Sequence, residues 1–184
     1  MAQVAQRMTA DEYLAHPGDG RRWMLVEGEV ILNQPALPHQ VVLMKLILAL
    51  GDWVRAEDGR GLMTLPLDVR IDDYNVFGPD VMWYAEGHAP EHEARPYPLP
   101  DVAVEVRSPS TWRYDIGAKK AGYERAGLAE LWLVDTAADE VLVFRRSSPD
   151  AAGFDISLEL CAGEQLGSPR MPGFALALSD LFAG

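Results

Sequence analysis

Two carboxylates, Asp80 and Glu105, lie at the ends of two short apolar runs, and such a pair can form a metal site. Asp80 ends the motif Gly78-Pro79-Asp80, and Glu105 lies in the run at 102–107. Both runs predict strands buried on at least one face, where a carboxylate is costly unless a cation or metal ion compensates it. Two acids on neighbouring strands beside a basic group can hold a divalent cation against a phosphodiester.

Basic side chains follow Glu105 closely in the sequence. Arg107 comes two residues later, so the alternation of a strand predicts that it shares a face with Glu105. Two of the three lysines in the chain, Lys119 and Lys120, lie on the helix predicted at 115–126. This region therefore offers both the acids and the bases that a hydrolytic metal site needs.

The helix predicted at 115–126 places Asp115, Lys119 and Tyr123 along one face, because their spacing is i, i+4 and i+8. A turn between strand and helix would fold this face back over the end of the Glu105 strand. The spacing alone leaves a second interpretation open, in which Asp115 and Lys119 form an exposed pair that contributes only about 0.3–0.5 kcal/mol. Tyr123 is expected to pack rather than react.

Composition limits the functions that the chain can have. The 184 residues, 48% of them hydrophobic, predict one domain over 1–184. A net charge of −12 argues against a broad surface for nucleic acid, so any such contact is expected to be local. The single cysteine, Cys161, excludes an intramolecular disulfide and a multi-cysteine zinc site, which suits the cytoplasm. No run of about 18 apolar residues is evident, and 1–9 lacks the apolar stretch of a signal peptide, so we expect a cytoplasmic protein without a membrane segment.

Periodicity and turn residues predict an α/β or α+β fold, with a mixed β-sheet flanked by helices. The predicted elements are a capped helix from Thr9 that stops before Pro17, a turn at 18–22, a strand at 23–33, a helix at 39–55, a strand at 61–71 interrupted at Pro66, a turn at 72–75, a strand ending near Tyr84, a loop at 86–100, a strand at 101–107, a helix at 115–126 closed by Gly127, a hairpin of 128–135 and 140–145, a strand at 154–160 and an apolar tail at 174–182. Within the strand at 23–33, Glu27 and Glu29 would share one face.

The order of these motifs resembles the Uma-type family of restriction endonucleases, over nearly the whole chain. The motifs that carry the resemblance are Leu25-Val26-Glu27-Gly28-Glu29-Val30, Pro38-His39-Gln40, Pro66-Leu67-Asp68-Val69-Arg70, Gly78-Pro79-Asp80-Val81, Val104-Glu105-Val106-Arg107-Ser108-Pro109-Ser110-Thr111, then Asp115, Lys119 and Tyr123, and Ala126-Gly127-Leu128-Ala129-Glu130-Leu131-Trp132-Leu133-Val134-Asp135. The resemblance implies the restriction-endonuclease-like PD-(D/E)xK nuclease fold, with the site at one edge of a mixed sheet. It also implies cytoplasmic proteins that are often homodimers.

Site residues can be carried over from the resemblance one by one. Asp80 and Glu105 would ligate Mg²⁺ or Mn²⁺, since hard cations prefer oxygen ligands. Lys119 would position the attacking water or help to deprotonate it. Arg107 stands where the wider superfamily has a lysine and would add positive charge to the site.

The acids of the first strand and His39 can each be interpreted in two ways. Trp23-Met24 stands where the family usually has Tyr-Glu, so Glu29 or Glu27 would supply any further metal ligand. Glu29 could instead face solvent on an edge strand. His39 could polarise a phosphate or a water, or it could simply begin a helix.

The sequence is consistent with more than one function. The first is a metal-dependent endonuclease that hydrolyses phosphodiester bonds of nucleic acid, with DNA as the expected substrate, and the intact set of two acids and a lysine favours it. The second is a binding or regulatory module that keeps the nuclease fold without cutting, which the charge of −12 favours. A third is a metal hydrolase of a smaller phosphoester.

Some remaining features predict structure rather than chemistry. The helix at 39–55 has more apolar residues than one core-facing stripe needs, which together with the apolar tail predicts a homodimer. His88 and His92 have a zinc-like spacing, but a proline-rich loop without a third ligand favours a solvated loop. Asp135 is expected to form a turn.

Overall fold

The fold is given by a computed structural model that describes residues 7–16 and 21–183. The helices and strands are α1 (Ala10–Ala15), β1 (Trp23–Val26), β2 (Glu29–Leu32), α2 (Leu37–Arg55), β3 (Leu62–Thr64), β4 (Val69–Asp72), β5 (Asn75–Phe77), β6 (Val81–Tyr84), β7 (Val102–Val106), α3 (Trp112–Tyr114), α4 (Lys120–Ala126), β8 (Glu130–Asp135), β9 (Glu140–Arg145), β10 (Ile156–Leu160), β11 (Gln165–Ser168), β12 (Met171–Ala177) and α5 (Leu178–Phe182). A π-helical turn, Asp115–Lys119, joins α3 to α4. The helix expected at 115–126 therefore begins earlier, at Trp112, and ends as predicted at Gly127, which has a φ of 89°.

Six strands form a central mixed sheet in the order β10-β9-β8-β7-β6-β3. β7 and β8 are parallel and buried along their length, and the other neighbouring pairs are antiparallel. A parallel pair needs a crossover, which here consists of α3, the π-helical turn and α4. This crossover brings Asp115 and Lys119 back to the sheet. The sheet and its helices confirm the predicted fold class.

The prediction of a single strand at 23–33 is wrong, because the segment folds as the β1–β2 hairpin. Glu27 and Gly28 form its turn, with φ values of 51° and 81°. The side-chain oxygen of Asn75 accepts a hydrogen bond from the amide of Glu27 at 2.8 Å, which holds the turn. The hairpin belongs to a second, antiparallel sheet in the order β2-β1-β5-β4. Because the turn interrupts the strand, Glu27 and Glu29 do not share one strand face.

The long helix α2 confirms the helix predicted at 39–55, and it has two different apolar faces. The inner face packs in the largest hydrophobic cluster with residues of the central sheet, through Val42, Leu43, Leu46, Leu50 and Trp53. The outer face exposes Leu37, Val41, Met44 and Leu48. In the described part of the chain, α2 is long and apolar enough to cross a membrane by length and composition alone. The expectation that the chain has no apolar segment of that length is therefore wrong. The buried inner face is that of a core helix, which passes the same test.

Most other predicted boundaries agree with the structure. Thr9 and Glu12 form the capping box that begins α1. The segment 61–71 is interrupted at Pro66 as expected, but its two halves, β3 and β4, lie in different sheets. The loop at 86–100 contains neither helix nor strand. The hairpin of 128–135 and 140–145 is β8–β9, and the apolar tail forms β12 and α5.

Two expectations reach beyond the described residues. The turn predicted at 18–22 is described only from Arg21 onward. The start of the chain, 1–9, where no signal peptide is expected, is described only from Arg7 onward.

Candidate active site

Asp80 and Glu105 come together through the register of β6 and β7. The antiparallel pair of Val81 and Val104 places Asp80, one residue before β6, opposite Glu105. The amide of Val106 donates a hydrogen bond to Oδ2 of Asp80 at 2.8 Å. Asp80 is 2% exposed and Glu105 3% exposed. The two predicted acids are therefore adjacent and buried.

Asp80 also has two basic partners from distant parts of the sequence. A guanidinium nitrogen of Arg22 donates to Oδ1 of Asp80 at 2.8 Å, and Nε2 of His39 lies 3.2 Å from Oδ2. Burial alone would raise the pKa of Asp80, but His39, Arg22 and the Val106 amide outweigh it and lower the pKa below its ordinary value. Asp80 is therefore held as an ionised carboxylate.

His39 is buried in the first turn of α2, with one ring nitrogen against Asp80. The other, Nδ1, is buried and has no hydrogen-bond partner among the residues described. A buried polar atom of this kind costs free energy unless a water or a ligand satisfies it. His39 is thus part of the Asp80 environment as well as a residue that begins a helix.

Glu105 lies in a second buried cluster, with Asp115, Lys119 and Tyr123. Nζ of Lys119 is 2.6 Å from Oε1 of Glu105 and 2.8 Å from Oδ1 of Asp115. The hydroxyl of Tyr123 donates to the same Oε1 at 2.6 Å, while its ring packs on Phe77 with centroids 5.1 Å apart. The interpretation of Asp115 and Lys119 as an exposed pair is therefore wrong, and Tyr123 packs as expected.

The π-helical turn places both Asp115 and Lys119 on the inner side of the crossover. π-helical turns inside helices occur often at functional sites. Asp115 is held from the preceding loop, since its Oδ2 accepts a hydrogen bond from Thr111 Oγ1 at 3.3 Å. Thr111 is in turn within 2.7 Å of the hydroxyl of Ser108.

Negative charge is in excess around Lys119. Burial raises the pKa of Glu105 to about 8, the negative charges of Asp115 and Asp80 add to this effect, and Lys119 only partly opposes it. Burial likewise raises the pKa of Asp115. Burial would lower the pKa of Lys119, but the charges of Asp115 and Glu105 outweigh burial and raise it. Lys119 is therefore a firmly charged ammonium shared by two acids.

The donor atoms of this site are of the type that a hard divalent cation prefers. The register brings Asp80 and Glu105 to opposite positions on neighbouring strands, and Mg²⁺ and Mn²⁺ prefer carboxylate oxygens. Both hydrogen-bonding partners of Glu105, Lys119 and Tyr123, contact Oε1. Within the described residues no hydrogen bond reaches Oε2, which leaves that oxygen for a ligand. A further positive charge would also relieve the repulsion among the acids.

Arg107 is directed away from this cluster. Its guanidinium donates to both carboxylate oxygens of Asp135 at 2.8 Å and lies over the ring of Trp112, 5.4 Å from the centroid. The amide of Arg107 still donates to the carbonyl of Val134 at 2.9 Å, so the pairing with β8 continues past Val106, but the guanidinium is bound by Asp135 rather than by Glu105. Asp135 also accepts a hydrogen bond from the amide of Ala137 at 2.8 Å, as expected for a residue that forms a turn.

Glu29 is also not brought to the other acids. It is exposed at the start of β2, beside the hairpin turn, whereas the opposite end of the hairpin contacts the site through Arg22. Glu29 and Asn33, which lies at that end, are four residue steps apart along the strand, a distance of about 13 Å. In the proline-rich loop, Nδ1 of the exposed His88 lies 3.0 Å from Asp101.

Arg22 is the site residue that no sequence pattern indicated. It lies 58 positions from Asp80 and precedes β1 of the other sheet, so neither periodicity nor motif spacing relates the two. Only the packing of the second sheet against the first brings them together.

Comparison with known proteins gives the family and the fold of the chain. The sequence model of the Uma2 family, described as "Putative restriction endonuclease", matches residues 10–179. Among solved structures, a crystal structure from Anabaena variabilis ATCC 29413, described as a putative nuclease belonging to DUF820, superposes with a TM-score of 0.78. That similarity covers 95% of this chain and 97% of the other at 19% sequence identity, and it shows a shared fold. None of the curated proteins compared with the chain matches it. The family match spans nearly the whole chain, and the protein therefore belongs to the Uma2 family of restriction-endonuclease-like proteins.

Proposed function

We propose that this protein is a metal-dependent endonuclease that hydrolyses phosphodiester bonds of nucleic acid, with DNA as its substrate. The observation that carries the proposal is the convergence of buried Asp80, Glu105 and Lys119 at one end of the β6–β7 pair. The family description supports the same reaction class. Asp80 and Glu105 would bind Mg²⁺ or Mn²⁺ in a cytoplasmic enzyme.

Each residue has a defined part in this proposal. A bound divalent cation would activate a water and neutralise charge on the phosphate. Lys119, whose pKa is raised, stays charged and therefore orients the water and stabilises developing negative charge rather than accepting a proton. Tyr123 fixes the orientation of Glu105 through its hydrogen bond to Oε1. Arg22, a third exposed beside Asp80, can contact the phosphate.

The proposal includes a homodimer in which a second copy covers the outer face of α2. Leu37, Val41, Met44 and Leu48 are 42–76% exposed. Their spacing of four, three and four residues is that of the seam of a two-helix coiled coil. The same face on two copies would be self-complementary about a two-fold axis.

A non-cleaving module that keeps the fold is the second candidate. The observation that favours it is that Lys119 is already engaged by two acids in a chain of net charge −12. Such a protein would bind nucleic acid or a partner without turnover.

A titration of Mg²⁺ and Mn²⁺ with supercoiled plasmid separates the two candidates. The endonuclease proposal predicts conversion to nicked or linear DNA that rises with cation concentration and stops in EDTA. Unchanged plasmid together with unchanged circular single-stranded DNA, over the whole range with both cations, would support the non-cleaving module instead.

A further inference from the structure

A cavity of about 820 Å³ lies beside the candidate active site. Residues from α1, the β1–β2 hairpin, the segment before β4 and the loop at 86–100 line it. Nothing in the proposed hydrolysis needs a cavity of this size. Its volume falls within the range of ligand-binding cavities in proteins, so the lining side chains indicate what it can bind.

The lining is basic in a protein that is otherwise acidic. Four of the 13 arginines line the cavity, namely Arg21, Arg22, Arg70 and Arg95. Only two of the 28 acidic residues do so, Asp11 and Asp68. Arg70 is paired with Asp11 at 2.6 Å and Arg22 with Asp80 at 2.8 Å, and arginines still outnumber acids in the lining by four to two. A concentrated positive charge of this kind attracts a polyanion locally, despite the net charge of the chain.

The cavity lies next to Asp80 of the candidate site, although Asp80 itself is not in the lining. Arg22 lines the cavity and donates to Asp80 at 2.8 Å. Gly78, two residues before Asp80, is also in the lining. Asn33 is a third link, because it lines the cavity and its Oδ1 accepts a hydrogen bond from Ser108 at 3.3 Å. A strand with one phosphate at Asp80 would therefore meet the cavity with its neighbouring nucleotides.

Aromatic side chains complete the lining. Tyr13, Trp23 and Tyr97 are all partly buried in the cavity wall. The guanidinium of Arg95 lies over the ring of Tyr97, 6.0 Å from its centroid. Aromatic rings interspersed with arginines bind unpaired nucleic acid, because each exposed base can stack while each phosphate is neutralised. The bases of a duplex are already stacked on each other and cannot enter such a concave site.

We propose that this cavity binds an unpaired DNA strand next to the phosphodiester to be cut, so that the protein prefers single-stranded DNA or an unpaired end over duplex. The position of the scissile bond in this proposal rests on the proposed nuclease function. The affinity for the strand is independent of the nuclease function, because it depends on the arginines and aromatic rings of the cavity.

Fluorescence anisotropy in EDTA tests this inference without hydrolysis. The probes are a labelled single-stranded oligonucleotide and the duplex of the same sequence. Single strands should bind more tightly than duplex. Arg95→Ala should weaken single-strand binding and reduce the slope of log affinity against log salt by about 0.7, the value for one lost phosphate contact. Tyr97→Ala should weaken it about ten-fold through lost stacking, whereas Tyr97→Phe keeps the ring and should bind normally.

Arg55→Ala is the matched control, because Arg55 lies on α2 outside the cavity and its side chain is 76% exposed. It removes the same charge and should leave both affinities unchanged. Thermal melts will show whether each variant folds. Arg95 is exposed, so Arg95→Ala should fold. If Tyr97→Ala does not fold, the result for Arg95→Ala decides the test.

Duplex binding as tight as single-strand binding, with Arg95→Ala and Tyr97→Ala both equal to Arg55→Ala in single-strand affinity, would overturn the inference. A different result would contradict the nuclease proposal alone. The single strand would then bind in EDTA as expected, but neither probe would be cut when Mg²⁺ is added.

Discussion

Lys119 Nζ lies 2.6 Å from Glu105 Oε1 and is shared with Asp115 Oδ1 at 2.8 Å. Two buried carboxylates therefore divide one positive charge. Breaking a buried ion pair by removing one partner leaves an uncompensated charge, which is strongly destabilising. The same shortage of positive charge explains why this site would gain from a bound cation.

Replacing Lys119 should reduce stability as well as activity. We expect Lys119→Ala to lose about 3 kcal/mol of unfolding free energy at pH 7.5, and less at pH 5.5, where the two acids can take up protons. Urea denaturation at both pH values measures this. Lys120→Ala, one residue further along, is the control and should lose much less. Equal losses in the two variants at both pH values would contradict the central role of Lys119.

Glu105 should make the stability of the metal-free protein depend on pH. Its pKa rises from an ordinary 4.5 to about 8 in the folded chain, so the folded state binds more protons between these values. Its contribution to stability is therefore complete below about pH 4.5 and is lost as the pH rises toward 8. Melting temperatures in EDTA should fall over this window, and Glu105→Gln should flatten the decline. An identical slope in Glu105→Gln would refute the raised pKa.

Neutralising Asp80 should lower the free energy of unfolding, whereas neutralising Glu105 should raise it. Asp80 has a lowered pKa and charged partners, so Asp80→Asn should lose about 2 kcal/mol, since hydrogen bonds to charged groups typically contribute about 1.5–3 kcal/mol. Glu105→Gln should instead stabilise the metal-free protein at pH 8, because it removes a disfavoured charge. Both variants should lose Mn²⁺ binding in calorimetry. Stabilisation by both substitutions, or unchanged metal affinity in both, would contradict the site.

The outer face of α2 should control assembly. Met44→Lys with Leu48→Lys places two charges on the proposed seam and should give monomers of 20.3 kDa in sedimentation, whereas the unaltered chain should sediment as a dimer. Leu158→Lys is the control at an exposed apolar residue of β10, and it should leave the dimer intact. A monomeric unaltered chain at micromolar concentration would exclude the dimer.

Local patterns were enough to predict the elements that hold the two acids and the lysine. Apolar runs predict the strand ending near Tyr84, which is β6, and the strand β7, and the i, i+4 spacing predicts that Asp115 and Lys119 share a helix face. The hairpin turn at Glu27 and Gly28 was not predicted, although the sequence contains a signal for it, because Glu27-Gly28-Glu29 interrupts the apolar run with a glycine between two acids.

Contacts between distant segments account for the parts of the site that the sequence did not predict. Arg22 reaches Asp80 across 58 positions and between two sheets, which no local spacing encodes. The role of Arg107 depends on another distant contact. Its spacing from Glu105 is visible in the sequence, but its partner Asp135 lies 28 positions away on the neighbouring strand, so the sequence did not predict that Asp135 would bind the guanidinium.

Mg²⁺-dependent cleavage by a matched pair of variants, Glu105→Gln and Glu29→Gln, tests the central claim most directly. Both substitutions remove one carboxylate, one from the buried cluster and one from the exposed end of the β1–β2 hairpin. Our account predicts that the unaltered protein and Glu29→Gln cut circular single-stranded DNA in Mg²⁺ and not in EDTA, whereas Glu105→Gln does not cut under either condition. Cleavage by Glu105→Gln at the rate of the unaltered protein would contradict it.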